Sequence, residues 1–224
     1  MIEYVLIDLD GTLLDFSSGE KNAFGDTIKN FSNYELKEKD YKKFSDINEY
    51  YFNEYSKGNM SRNDFHYKRF EEIYKYLKLD CPIGESDKYY IDSLREQAIL
   101  FPDVLDSIKY LSNKYKLYVA SNGMTSVQIK RLEKANILNY FKEIYVSESV
   151  GYNKPDLGFF EYVIKDINDF DKSKYIIIGD RLDSDILGGN NFGIKTVFLD
   201  RSKNYDKVDA TYHIFAFAEI KNIL

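Results

Sequence analysis

Along the chain, five short apolar runs rich in β-formers each end abruptly in acids, hydroxyls or glycine. Tyr4-Val5-Leu6-Ile7 runs into Asp8, and residues 116–120 run into Ser121-Asn122-Gly123. Residues 143–146 run into Ser147-Glu148, residues 175–178 into Gly179-Asp180, and residues 196–199 into Asp200. Such runs read as buried strands that open into polar loops. Between them, apolar residues recur at helical spacing over 104–112, 126–135 and 159–165, and over 185–191 where a further helix starts. Strands alternating with helices predict an α/β chain, a Rossmann-like doubly wound parallel sheet. Ligands collect at the carboxyl ends of strands in such sheets, where every polar cluster just named falls.

Residues 15–98 break the alternation. They contain no convincing strand but have helix-like stretches, among them 41–55 and 61–77, with aromatic and charged residues interleaved. Gly58-Asn59 separates these two stretches, Ser61 stands where an N-cap belongs with Asp64 three residues on, and Cys81-Pro82-Ile83-Gly84 makes a further break. The expected organisation is an α/β core of residues 1–14 and 99–224, with an inserted α-helical domain over 15–98. No internal repeat or low-complexity tract interrupts either part.

Composition narrows the function. The 224 residues carry a net charge of −6 and a pI near 5.1, which argues against a nucleic-acid polymer as partner, since a polyanion needs a dense basic surface. The 21 Tyr and 16 Phe lie mostly in helix-like stretches, where core packing accounts for them. No run approaches the roughly 18 apolar residues of a membrane helix, and the first residues lack a basic region and reach an acid too soon for a signal peptide. With Cys81 the single cysteine, a cytoplasmic location is expected. His66 and His213 have no partners at metal-ligand spacing.

Chemistry concentrates in Asp8-Leu9-Asp10-Gly11-Thr12. A phosphate site accounts for its parts together. One carboxylate can attack phosphorus if a cation screens its charge, and a second two residues on can serve the leaving group. Gly11 lets the backbone turn and present its N–H groups. Taken alone, Asp-Gly-Thr has a second reading as a turn after a strand. The other strand ends shift the balance: Ser121 can donate to a phosphate oxygen beside Asn122-Gly123, Lys154 before Pro155 can neutralise phosphoryl charge, and Asp180 with Ser184-Asp185 offers oxygen ligands to a hard cation.

In order and spacing, Asp8-Leu9-Asp10-Gly11-Thr12-Leu13, Ser121, Lys154-Pro155 and Gly179-Asp180 through Asp185 resemble the four motifs of the haloacid dehalogenase-like (HAD) hydrolases, over nearly the whole chain. The resemblance implies a Mg²⁺-dependent phosphomonoester hydrolase in which Asp8 forms an aspartyl-phosphate and Asp10 protonates the leaving alcohol, then activates water. It implies phosphate contacts from Gly11, Thr12, Ser121, Asn122 and Lys154. Metal ligation falls to Asp8, the Asp10 carbonyl and Asp180, with Asp185 orienting metal-bound water. Asp183 lies in the same loop but is less well placed by the motif. The insertion becomes a helical (C1-type) cap that closes over the site, with Asp15 and Phe16 at the hinge and Arg69 as a candidate substrate contact.

Leu13-Leu14-Asp15-Phe16, residues 58–62, Arg69-Phe70 and the run from Ile178 to Gly189 are further similar to the pyrimidine 5′-nucleotidases. The expected substrate is therefore a small-molecule phosphate ester, a pyrimidine nucleoside monophosphate, handled by a monomer or homodimer away from any membrane. A sugar-phosphate phosphatase or a β-phosphoglucomutase-like phosphomutase remains compatible with the same four motifs. A phosphorylatable signalling module would carry its acceptor Asp on a later strand and lack the insertion. A dehalogenase would make Asp10 a redundant charge.

Overall fold

Side-chain alternation along β1 (Tyr4–Ile7) decides what each face of the central sheet buries. Val5 and Ile7 point into one core with Val119, Ile176 and Ile178, packed against Ile108, Leu111 and Phe217. Tyr4 and Leu6 point into the other with Tyr118, Ile177, Phe159 and Phe160. Burial on both faces explains why the strands read as continuous apolar runs.

The computed structural model describes residues 1–224. The other strands are β2 (Lys116–Ser121), β3 (Phe141–Val146), β4 (Tyr175–Gly179), β5 (Lys195–Leu199) and β6 (Tyr212–Ile214). The sheet is ordered β3-β2-β1-β4-β5-β6, and every pairing is parallel. Ile7 lies beside Val119 of β2 and Ile178 of β4. The chain winds outward from β1 to β3, then returns to β1's other side as β4. That reversal is a topological switch point, so the carboxyl end of β1 opens into a crevice between diverging connections.

The chain divides into Met1–Asp15 with Ala98–Leu224, and Phe16–Gln97. Each boundary falls one residue from the sequence expectation. The first unit also contains α5 (Val104–Ser112), α6 (Thr125–Lys134), α7 (Ser147–Val150), α8 (Leu157–Ile167) and α9 (Leu187–Phe192); the second contains α1 (Phe16–Phe31), α2 (Glu38–Ser56), α3 (Arg62–Leu77) and α4 (Ile83–Glu96). Helix α8 starts two residues before the expected 159 because the Asp156 side chain caps it, accepting from the Gly158 N–H at 2.7 Å. The helix expected over 185–191 is split into a wide turn, Leu182–Ile186, followed by α9. Strand β6 escapes the sequence expectation: three residues containing one His are too short for a periodic signal.

In the helical unit Phe24, Phe44, Phe65, Phe70, Tyr74 and Tyr90 are buried and form the core. Phe24 stacks on Phe44 with centroids 4.0 Å apart, and Phe44 meets Phe70 and Tyr90. Ser61 caps α3 as expected, accepting from the Asp64 N–H at 3.1 Å. Arg69 is 3% exposed and lies 4.5 Å from the Tyr90 ring centre. Its Nε and NH2 donate to Asp87 Oδ1 at 3.1 and 2.6 Å, and NH1 donates to Asn48 at 3.0 Å. Asn48 in turn donates to Glu20 at 2.7 Å. The result is a buried polar chain stitching all four helices together.

Phe44→Ala is expected to cost about 3–5 kcal/mol by emptying the centre of this unit, read by urea unfolding, while exposed Tyr50→Ala leaves stability unchanged; equal effects would contradict the packing. Burial raises the Asp87 carboxyl, but the hydrogen bond from His66 and the Arg69 charge outweigh it and hold the group below its usual range. Its stabilising contribution is present above the unfolded value, near 3.9, and is lost as pH falls from there through the lower folded value. Asp87→Asn should therefore remove part of the acid-side loss of stability, measured as melting temperature against pH; an unaltered pH profile would count against it.

Candidate active site

The loop after β1 is pinned by apolar residues on both sides of its polar ones. Leu9, Leu13 and Leu14 are fully buried, and the N–H groups of Leu13 and Leu14 both donate to the Leu9 carbonyl at 2.9 Å. Gly11 has φ +83°, and a Cβ there would collide with the Asp180 carboxylate. Only glycine provides both the backbone conformation and the space. Arg201 steadies the loop from outside, donating to the Thr12 carbonyl at 3.0 Å while paired to Asp103.

Asp8 leaves β1 into a buried cluster. Lys154 Nζ donates to Asp8 Oδ1 at 2.9 Å, to Asp185 Oδ1 at 2.5 Å and to the Ala120 carbonyl. Thr12 Oγ1 lies 3.2 Å from both Asp8 Oδ2 and Asp180 Oδ1, bridging two strand ends. Burial raises the Asp8 carboxyl well above its ordinary value against the pull of Lys154, with Asp185 and Asp180 adding to the rise. Asp180 is pushed up to about 7 by burial and then by Asp185. Burial opposes the charge on Lys154, yet Asp185 and Asp8 hold its ammonium above the usual range.

Carboxylate oxygens of Asp8, Asp180 and Asp185 lie within 4.8 Å of one another. Three clustered acids facing one ammonium leave negative charge uncompensated, and the neighbouring acids add to the rise that burial imposes on the Asp8 and Asp180 carboxyls. An all-oxygen donor set with surplus negative charge fits a hard divalent cation.

Asp10 turns the other way. Its carboxylate accepts from Arg131 NH1 at one oxygen and from Gln128 Nε2 at the other, the latter at 2.6 Å. Ser121 is buried at the end of β2 and receives the same Gln128 amide at 2.9 Å. The Asn122 side chain faces the lysine loop: its Nδ2 donates to the Lys154 carbonyl and its Oδ1 accepts from the Lys154 N–H, both at 2.8 Å. It spends both ends of its amide holding the lysine loop to β2.

The remaining expectations fall elsewhere. Asp183 is exposed and receives Arg181 Nε and NH2 at 3.0 and 2.8 Å. Asp15 closes the N-terminal segment, its N–H donating to the Ile99 carbonyl at 2.8 Å, and Phe16 opens α1. Arg69 turns its donors to Asp87 and Asn48 inside the helical unit, so the expected substrate contact gains no support from its position. Gln128 and Arg131 went unread in the sequence, although Gln-x-x-Arg at positions i and i+3 of a helix, on the face shared with Val127 and Leu132, marks polar groups turned inward.

Residues 5–199 match the haloacid dehalogenase-like hydrolase family. The chain belongs to that family. It is 29% identical to the pyrimidine 5′-nucleotidase PynA of Streptococcus pneumoniae, over 99% of this chain and 97% of the relative. Identity is 25% to the pyrimidine 5′-nucleotidase YjjG of Escherichia coli, over 99% and 97%. The HAD-hydrolase YfnB of Bacillus subtilis is 30% identical over 98% and 94%, and its magnesium-bound crystal structure superposes with a TM-score of 0.93 over 100% of this chain and 98% of that one.

Lys154→Met should lower stability by about 3–5 kcal/mol, because it strands Asp8 and Asp185 without their buried counter-charge. Chemical denaturation near neutral pH tests this, and wild-type stability in that variant would show that the ammonium does not hold the cluster together.

Proposed function

We propose that this HAD-family phosphatase is a Mg²⁺-dependent 5′-nucleotidase that removes phosphate from pyrimidine nucleoside monophosphates through an aspartyl-phosphate on Asp8. The observation that carries the reading is the division of labour between two acids on one loop. Asp8 is buried against a lysine and two further carboxylates, while Asp10, two residues on, is drawn toward α6 and kept out of that cluster.

In the first step an Asp8 oxygen attacks phosphorus, the bond from phosphorus to the ester oxygen breaks, and Asp10 gives its proton to the departing alcohol. In the second, ionised Asp10 takes a proton from water, the water oxygen attacks phosphorus, and the bond to Asp8 breaks to release inorganic phosphate. Lys154 and Ser121 stand ready to offset and orient charge on the phosphoryl oxygens. Asp8 and Asp180 would hold the cation directly, with Asp185 placed to orient its surroundings; when bound it supplies positive charge that lets an anionic nucleophile approach an anionic ester.

The helical unit enters the chain directly after the Asp8 loop and returns at Ala98. We assign it the selection of the leaving group, with Asp15 and Phe16 at its entry as the first candidates for substrate contact. Support for a nucleotide comes from the two relatives that bear that activity in their names and align through this unit as well as the core.

A panel of dUMP, UMP, dTMP, sugar phosphates and glycerol phosphates, assayed for released phosphate with Mg²⁺ and with EDTA, tests the proposal. Pyrimidine nucleotides should be hydrolysed most efficiently, EDTA should suppress turnover, and Asp8→Asn should abolish it without unfolding the protein. Efficient sugar-phosphate hydrolysis without nucleotide turnover would overturn the substrate; activity in Asp8→Asn would overturn the nucleophile.

A further inference from the structure

Beyond the residues that touch phosphate, α6 carries two buried polar side chains on one face, Gln128 and Arg131, each 1% exposed. Burying a guanidinium is costly unless its charge is matched, and here the match is the carboxylate of Asp10. We propose that Gln128 and Arg131 are positioning residues that hold the Asp10 carboxyl in register with Ser121 and so set the rate of proton transfer in both half-reactions. The inference rests on the reading of Asp10 as the acid and base of the reaction.

The geometry runs in one direction. Arg131 NH1 donates to Gln128 Oε1 at 3.1 Å as well as to Asp10. That contact fixes which end of the Gln128 amide faces outward, because an amide turned over would set N–H against N–H. The outward Nε2 is then shared between Asp10 Oδ2 at 2.6 Å and Ser121 Oγ at 2.9 Å. One amide therefore couples the proton-transfer group to the hydroxyl at the phosphate site. The loop leaves room for it: a Cβ on Gly123 would collide with the Gln128 amide nitrogen. A purely structural ion pair would need neither the shared amide nor its contact with Ser121.

Leaving-group acidity separates the two roles. The p-nitrophenolate ion departs without a proton, whereas the 5′-oxygen of a nucleoside needs one. In the Mg²⁺-loaded enzyme, Gln128→Met and Arg131→Lys should slow single-turnover transfer from a nucleoside monophosphate to Asp8 by about 10- to 100-fold, with KM little changed. The burst of p-nitrophenolate from p-nitrophenyl phosphate should keep its wild-type rate. In an Asp10→Asn background the same substitutions should add no further loss, since their target is gone. Equal losses on both esters, no loss on either, or a full additional loss beside Asp10→Asn would each overturn the inference. Gln128→Met, nearly isosteric and leaving Arg131 in place, keeps the test open if Arg131→Lys melts early. A wild-type enzyme that gives no burst and no nucleotide turnover would instead overturn the underlying functional reading, and this inference with it.

Discussion

The site depends on one buried ammonium. Lys154 is 1% exposed and bonds Asp8, Asp185 and the Ala120 carbonyl. Desolvating a lysine costs several kcal/mol, and what offsets it is a set of acceptors drawn from three places: the end of β1, the end of β2 and the turn after β4. None of these groups is near Lys154 in sequence. The ion pairs therefore form only once the parallel sheet has registered its strands, and Asp8 meets its partners only when the fold is complete. Asn122 contributes from the side by clamping the backbone of Lys154 itself.

The same loop presents a second, separate pair. Asp8 and Asp10 are two residues apart, yet one faces Lys154 and its companion acids while the other faces Arg131 and Gln128. Two carboxylates of identical chemistry acquire different environments because Gly11 and the buried leucines around it set where each side chain points. Such separation is what nucleophilic and acid–base work require of neighbouring acids. It also leaves Asp8 with Asp180 and Asp185 as an oxygen cluster whose excess negative charge suits a divalent cation.

Much of this was legible before any coordinates. Apolar runs ending in Asp8, Ser121 and Asp180 placed the strand ends correctly, because doubly buried strands leave a strong, contiguous hydrophobic signal and their carboxyl ends gather ligands. Side-chain partnership was not legible. Asn122 stands beside Ser121 in sequence, but its amide turns to the lysine backbone, a choice made by the approach of a loop 32 residues away. Gln128 and Arg131 sit on a helix whose apolar spacing drew attention away from its buried polar pair. Arg69 looked available to a substrate, and only the packed helical unit reveals that Asp87, Asn48 and three aromatic rings enclose it. Strand β6 owes its existence to pairing with β5 rather than to any pattern of its own.

The central claim is that Asp8 carries the phosphoryl group between its two transfers. Acid quenching of the Mg²⁺-loaded enzyme during turnover, followed by peptide mass spectrometry, addresses it most directly. The account predicts one phosphoryl group on the peptide containing Asp8, labile to hydroxylamine as an acyl phosphate must be. A phosphoryl group on any other side chain during turnover would contradict it.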